Sequence, residues 1–124
     1  MPILSLAADQ GYAQAQYNLG TMHNYGQGVA QSDVEAARWY RKAADQGDSQ
    51  AQFNLGVMYE NGQSVAQSYA EAARWYRKAA DQGCAQAQCS LGILYHNGQG
   101  VAQSDAEEAR WYRKAADKDK LKHR

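Results

Sequence analysis

A strict 36-residue repeat constrains this chain more than any other feature. The block Arg38-Trp39-Tyr40-Arg41-Lys42-Ala43-Ala44-Asp45 returns at Arg74 to Asp81 and again at Arg110 to Asp117, so Trp39, Trp75 and Trp111 lie 36 residues apart. Leu19-Gly20, Leu55-Gly56 and Leu91-Gly92 keep the same step, as do the Val-Ala-Gln-Ser runs that begin at Val29, Val65 and Val101. A period of this size marks stacked supersecondary units. One such unit cannot bury its own apolar face, whereas neighbours stacked on one another can.

Each unit reads as helix, turn, helix. In the first helix of unit one (helix A, about Ala13 to Asn24), Ala15, Leu19, Met22 and His23 recur on one side at helical spacing. Gly26, Gly62 and Gly98 follow as stops in the left-handed conformation. The Asn-Gly pairs at Asn61 and Asn97 do not make hairpins, because no strand-like alternation flanks them. The second helix (helix B) opens with a capping box, Ser32 with Glu35, repeated as Ser68 with Glu71 and Ser104 with Glu107. Its apolar face is mostly small: Ala36, Ala37, Tyr40, Ala43 and Ala44. Gly47 and Gly83 end the B helices. Gly20, Gly56 and Gly92 sit inside helix A, where glycine costs about 1 kcal/mol against alanine. A close approach between helices A and B of each unit accounts for them.

The expected fold class is therefore all-α, an α-solenoid (α/α superhelix) of three 36-residue helix-turn-helix repeats with partial flanking helices. The repeats occupy about 12–47, 48–83 and 84–119 within a single domain of 1–124. Residues 1–11 read as the end of a preceding helix B, and 120–124 as a basic tail. Stacking of this kind produces a right-handed superhelix with a concave and a convex side.

Charge and hydropathy narrow the function. Thirteen Lys and Arg balance thirteen Asp and Glu. No basic excess is present to displace counterions from phosphates, so a nucleic-acid partner is not expected. No apolar run approaches the roughly 20 residues that span a bilayer, so membrane insertion is not expected either. The apolar start, Ile3 to Ala8, has no basic flank and is not read as a signal peptide. Cys84 and Cys89 are five residues apart on one helix and point to different sides, which disfavours a disulfide between them. Free thiols slightly favour the cytoplasm, while a periplasmic or secreted location stays open if a signal peptide has been removed.

The pattern Ala15…Leu19-Gly20-x-Met22-His23…Gly26-Gln27-Gly28-Val29…Ala36-Ala37-x-Trp39-Tyr40-x-Lys42-Ala43-Ala44-x-Gln46-Gly47 recurs twice more. It resembles the Sel-one-like repeat (SLR) family, a subfamily of tetratricopeptide-like solenoids. The resemblance covers nearly the whole chain and implies an adaptor that binds a protein or peptide. One secreted branch of the family staples its helices with cysteines. Here the positions that match Cys84 and Cys89 are Tyr12 and Tyr17, then Asp48 and Phe53, so the stapling pattern is missing.

Aligned on the Leu-Gly pair, the resemblance places the partner-binding wall on helix A. Unit one offers Gln14, Tyr17, Asn18, Thr21 and Asn24. Unit two offers Gln50, Phe53, Asn54, Val57 and Glu60; unit three offers Gln86, Cys89, Ser90, Ile93 and His96. These positions vary between units while the scaffold hardly changes. They also mix aromatic anchors with amides, which suits a peptide's side chains and backbone. Tyr17, Asn18, Phe53 and Asn54 would be the central contacts. Phe53 and Ile93 could equally fill the space between repeats.

Other motifs read as structural. The three tryptophans pack between units, and Arg38, Arg41, Lys42 and their repeats form a solvated stripe balanced by Glu35 and Asp45. Gly26-Gln27-Gly28 lacks both the third glycine and the preceding strand of a dinucleotide fingerprint. His96 and Cys89 are seven residues apart, about 10 Å along a helix, too far for one zinc. No metal or cofactor is expected, and no nucleophile motif is present. The weak alternatives are a hydrolase using Glu60 and His96 as an acid–base pair, and a structural role through self-association of uncovered end faces.

Overall fold

The computed structural model describes the backbone of residues 2–122 and the side chains of residues 3–117. Seven helices follow one another: α1 (Pro2–Asp9), α2 (Ala13–Tyr25), α3 (Asp33–Asp45), α4 (Ser49–Asn61), α5 (Tyr69–Asp81), α6 (Ala85–Asn97) and α7 (Asp105–Lys122). No strand occurs among the described residues. The A helices are α2, α4 and α6. Each packs on the B helix that follows it (α3, α5, α7) and on the one that precedes it (α1, α3, α5). The chain is an all-α solenoid.

The helix ends follow from their residues. Gly26, Gly62 and Gly98 take φ values of 67°, 69° and 67°, the left-handed conformation that stops helix A at little steric cost. Helix B ends in a complete Schellman arrangement: Gly47 N donates to Ala44 O at 2.9 Å and Asp48 N donates to Ala43 O at 3.1 Å. At the matching place in α7 stand Lys118 and Asp119, and without the glycine the helix runs on to Lys122. The segment 120–124 read as a basic tail thus starts within this helix, and residues 123–124 lie outside the described residues.

The expected capping box is only half formed. Ser32 Oγ accepts from Glu35 N at 3.2 Å, but Ser32 N donates to His23 O at 2.9 Å instead of to the Glu35 carboxylate. Ser68 and Ser104 repeat this with Tyr59 O and Tyr95 O. The returning chain brings a carbonyl of helix A to the serine N–H, and the glutamate is left to pair with an arginine. Arg38 reaches Glu35 at 3.2 Å and Arg110 reaches Glu107 at 3.2 Å. Such exposed pairs contribute at most about 1 kcal/mol each.

The core is built between units. Trp75, 2% exposed, sits among Ala36, Tyr40, Ala43 and Ala44 of α3 and Ala51, Leu55 and Met58 of α4. Trp111 repeats this one unit on, against Ala72, Ala79, Ala87 and Leu91. The tryptophans are therefore structural wedges. The basic stripe covers their outer faces: Arg74 and Arg41 lie 4.9 and 5.3 Å from the Trp75 ring centroid, one from the same unit and one from the unit before. Each such contact is worth about 0.5–1 kcal/mol at a surface.

Two polar devices join the units as well. Gln82 Nε2, at the end of α5, donates to Gly47 O and to Gln52 Oε1, both at 2.9 Å, while Gln52 Nε2 donates to Ala44 O at 3.2 Å. Gln46 and Gln16 make the same clasp one unit earlier. The A–B loop also touches the preceding unit. Ser64, a non-glycine at φ 60°, donates from Oγ to Asp33 O at 3.0 Å.

Candidate protein-binding groove

The A helices stand side by side and turn one face away from the B-helix core. Between α2, α4 and the start of α6 this face opens a hollow of ≈ 290 Å³. Its floor is Tyr40, a helix-B residue held in place by side chains of two units. Tyr40 Oη shares a hydrogen bond with Thr21 Oγ1 at 3.0 Å, and its ring lies 5.7 Å from that of Tyr17. Asn54 of the next unit also reaches this hydroxyl. Burial raises the Tyr40 pKa, against the opposing pull of Thr21, so the phenol stays neutral.

One unit on, the arrangement recurs with a carboxylate. Tyr76 Oη donates to Glu60 Oε1 at 2.9 Å, and the Phe53 ring lies 5.7 Å from Tyr76. Burial, then the hydrogen bond and charge of Glu60, raise the Tyr76 pKa further. Thus Glu60 is committed to Tyr76. His96 faces Glu108 instead, at 3.1 Å. The two members of the acid–base pair considered from the sequence are each engaged by helix B of their own unit. The structure does not bring them together.

Most of the residues expected on the wall do line this hollow. Tyr17, Thr21 and Asn24 come from α2, and Gln50, Phe53, Asn54 and Val57 from α4. Gln86 enters from α6 and adjoins a second, more apolar hollow that also contains Cys89 and Ser90. Five expected residues lie outside both hollows. Gln14 and Asn18 are exposed and bonded to each other at 3.0 Å. Ile93 is exposed, and Glu60 and His96 are engaged as described. Of the two residues that could equally fill inter-repeat space, Phe53 is half-buried against the core around Tyr76 while also lining the hollow.

Sequence reasoning missed Tyr25, Tyr40, Met58 and Gln63, which complete the lining. The signal for Tyr40 was present: each interior glycine of helix A is followed 20 residues later by a tyrosine, as Gly20 by Tyr40, Gly56 by Tyr76 and Gly92 by Tyr112. None of the residues lining the ≈ 290 Å³ hollow is charged. The side-chain amides of Asn24, Gln50 and Gln63 make no hydrogen bond among the described residues. Both cysteines are free, Cys84 buried and Cys89 exposed. Among the described residues, no cluster of three potential ligands could hold a metal, and no helix is long and apolar enough to cross a membrane.

Stacked helix pairs, wedged by tryptophan and open along the A helices, define a helical-repeat scaffold. The chain belongs to the Sel1 repeat family, whose model matches residues 13–48, 49–84 and 85–120. Proteins of this family commonly serve as protein-interaction modules and are generally non-catalytic scaffolds. A protective antigen of uropathogenic Escherichia coli with an SLR fold is 42% identical, with a TM-score of 0.91 over 94% of this chain and 25% of that one. A Sel1 repeat protein of Oxalobacter formigenes is also 42% identical, with a TM-score of 0.85 over 87% of this chain and 44% of that one. The chain thus spans less than half the length of either. Cysteine-rich protein B of Helicobacter pylori, 23% identical, shares the fold with a TM-score of 0.72 over 91% of this chain and 86% of its own. No curated protein matches the chain.

Proposed function

We propose that the chain is a binding module whose A-helix groove holds an uncharged segment of a partner protein. One observation carries this reading: a hollow lined from three successive units has an aromatic floor and unengaged amides, but no charge on its lining. Aromatic walls take apolar side chains, and free amides both donate to and accept from a peptide backbone. Without a cation to meet a carboxylate or an anion to meet a guanidinium, a charged segment would lose its hydration there for nothing in return. The groove positions supply no nucleophile and base in contact, which favours binding over hydrolysis.

A displayed library of random peptides, selected on the chain, tests this. Selected sequences should be poor in charge over their central residues. The Gln50→Glu, Gln63→Glu variant keeps side-chain shape and places carboxylates on the wall, so it should lose at least about tenfold in affinity for them. Unchanged affinity in a variant with wild-type circular dichroism would remove the groove assignment.

A further inference from the structure

One carboxylate stands on the groove wall beside the uncharged hollow. Glu60 follows Phe53 by seven residues and Val57 by three, so all three share one face of α4. Phe53 and Val57 line the hollow. Glu60 also holds, one unit on, the position of Asn24, which lines that hollow. Its partner Tyr76 repeats Tyr40, the hollow's floor. The pair of Glu60 and Tyr76 therefore marks the next step along the same groove.

The fold supplies Glu60 with orientation but not with a counter-charge. Tyr76 Oη donates to Glu60 Oε1 at 2.9 Å, and Ser90 of α6 reaches the same phenol. Both partners are neutral. No Lys, Arg or His pairs with this half-buried carboxylate among the described residues. On the B helices, by contrast, Glu35, Asp45, Glu71, Asp81 and Glu107 each meet an arginine. Unit three shows what is missing. There the A-helix position holds His96 and the facing helix-B position holds Glu108, 3.1 Å away. In unit two that helix-B position is Ala72, which is buried and offers no charge. A carboxylate partly removed from water, with only neutral donors around it, favours a cation from outside the chain.

We propose that Glu60 sets the specificity of the groove: it receives a lysine or arginine of the partner segment whose uncharged residue fills the hollow. This rests on the groove reading above and narrows it. The basic residue lays its apolar stem along Phe53 and Val57 and carries its head to Glu60 Oε2, while Oε1 stays with Tyr76. Glu60 stands within about one helix diameter, ~10 Å, of the hollow. The basic residue therefore lies within about three positions of the apolar one, at ~3.3 Å per residue of extended chain. The partner segment is neutral at its centre and basic on one flank.

Peptides selected on the whole chain from a displayed random library, then measured by fluorescence anisotropy, test this. They should carry Lys or Arg within about three residues of the apolar position. Glu60→Gln keeps an oxygen for Tyr76 and removes the charge, so it should weaken such a peptide at least about tenfold. The same peptide with its basic residue replaced by methionine should bind wild type and Glu60→Gln alike. Glu35→Gln makes the same change of net charge on helix B and should affect neither peptide. No loss in Glu60→Gln, equal loss for both peptides, or equal loss in Glu35→Gln would overturn the proposal, provided circular dichroism shows each variant folded. Peptides weakened by Gln50→Glu, Gln63→Glu but not by Glu60→Gln would keep the groove and reject its basic preference. Peptides indifferent to both variants would remove the groove, and this proposal with it.

Discussion

The Tyr76 ring lies directly against the backbone of Gly56: a Cβ on Gly56 would meet Tyr76 Cδ1 and Cε1 at 2.7 Å. Gly20 with Tyr40 and Gly92 with Tyr112 show the same relation, also at 2.7 Å. The glycine is what lets helices A and B of one unit close on each other. It also sets the depth of the tyrosine that floors the groove. Gly56→Ala should therefore destabilise the chain by about 1–3 kcal/mol through overpacking, despite the roughly 1 kcal/mol that alanine returns in helix propensity. Urea unfolding measures this. In a Tyr76→Ala background the same change should become stabilising, and equal cost in both backgrounds would exclude the contact as its cause.

The glutamine clasp predicts an asymmetry between units. Gln52 uses both ends of its amide, whereas Gln88 Oε1 has no partner among the described residues. Lys118 stands in the sequence where Gln46 and Gln82 stand in the earlier units. Gln52→Ala, which also removes the hydrogen bond from Gln82, should cost about 1 kcal/mol more than Gln88→Ala. Chemical denaturation of the two variants side by side decides it.

The A–B loops offer a second graded comparison. Gly28 and Gly100 have φ values of 76° and 75°, but their surroundings differ. A Cβ at Gly28 would find only Met22 Cε, at 3.7 Å, while one at Gly100 would strike the backbone of Tyr69 and Ala70. Gly28→Ala should lose about 1–2 kcal/mol for its left-handed conformation. Gly100→Ala should lose more, because the loop must also leave the start of α5. Similar melting temperatures for the two variants would contradict the loop contact.

Stability should fall in alkali. Tyr40 and Tyr76 are raised from the ordinary value of 10.0, chiefly by burial. Their stabilising contribution is complete below pH 10, where the unfolded phenols are still protonated. Above it the unfolded state releases protons that the fold retains, and each tyrosine then costs about 1.4 kcal/mol per pH unit. Tyr76→Phe should flatten this decline. Glu60→Gln should flatten it partly, since the carboxylate adds to the shift on Tyr76. Denaturant midpoints from pH 9 upward would show it, and identical slopes in all three proteins would refute the assignment.

Much of this architecture was legible from spacing alone, because a repeat states the same local physics three times. The left-handed glycines, the serine N-caps and the apolar stripe of helix B are local preferences, set within one turn of helix, and the sequence by itself determined them. The recurrence of Trp39, Trp75 and Trp111 also determined that the units stack. The tertiary structure decided what depends on residues far apart in the chain. It gave the Ser32 N–H to His23 O, because the returning strand of the loop arrives there before a flexible glutamate can. It turned Gln16 and Gln46, thirty residues apart, into one clasp. It placed Tyr40 under the groove and left Asn18 and Ile93 outside it, because a helix position faces the hollow only where the neighbouring unit leans over it. Such selection depends on the tilt between packed helices, which many side chains set together and no single spacing records.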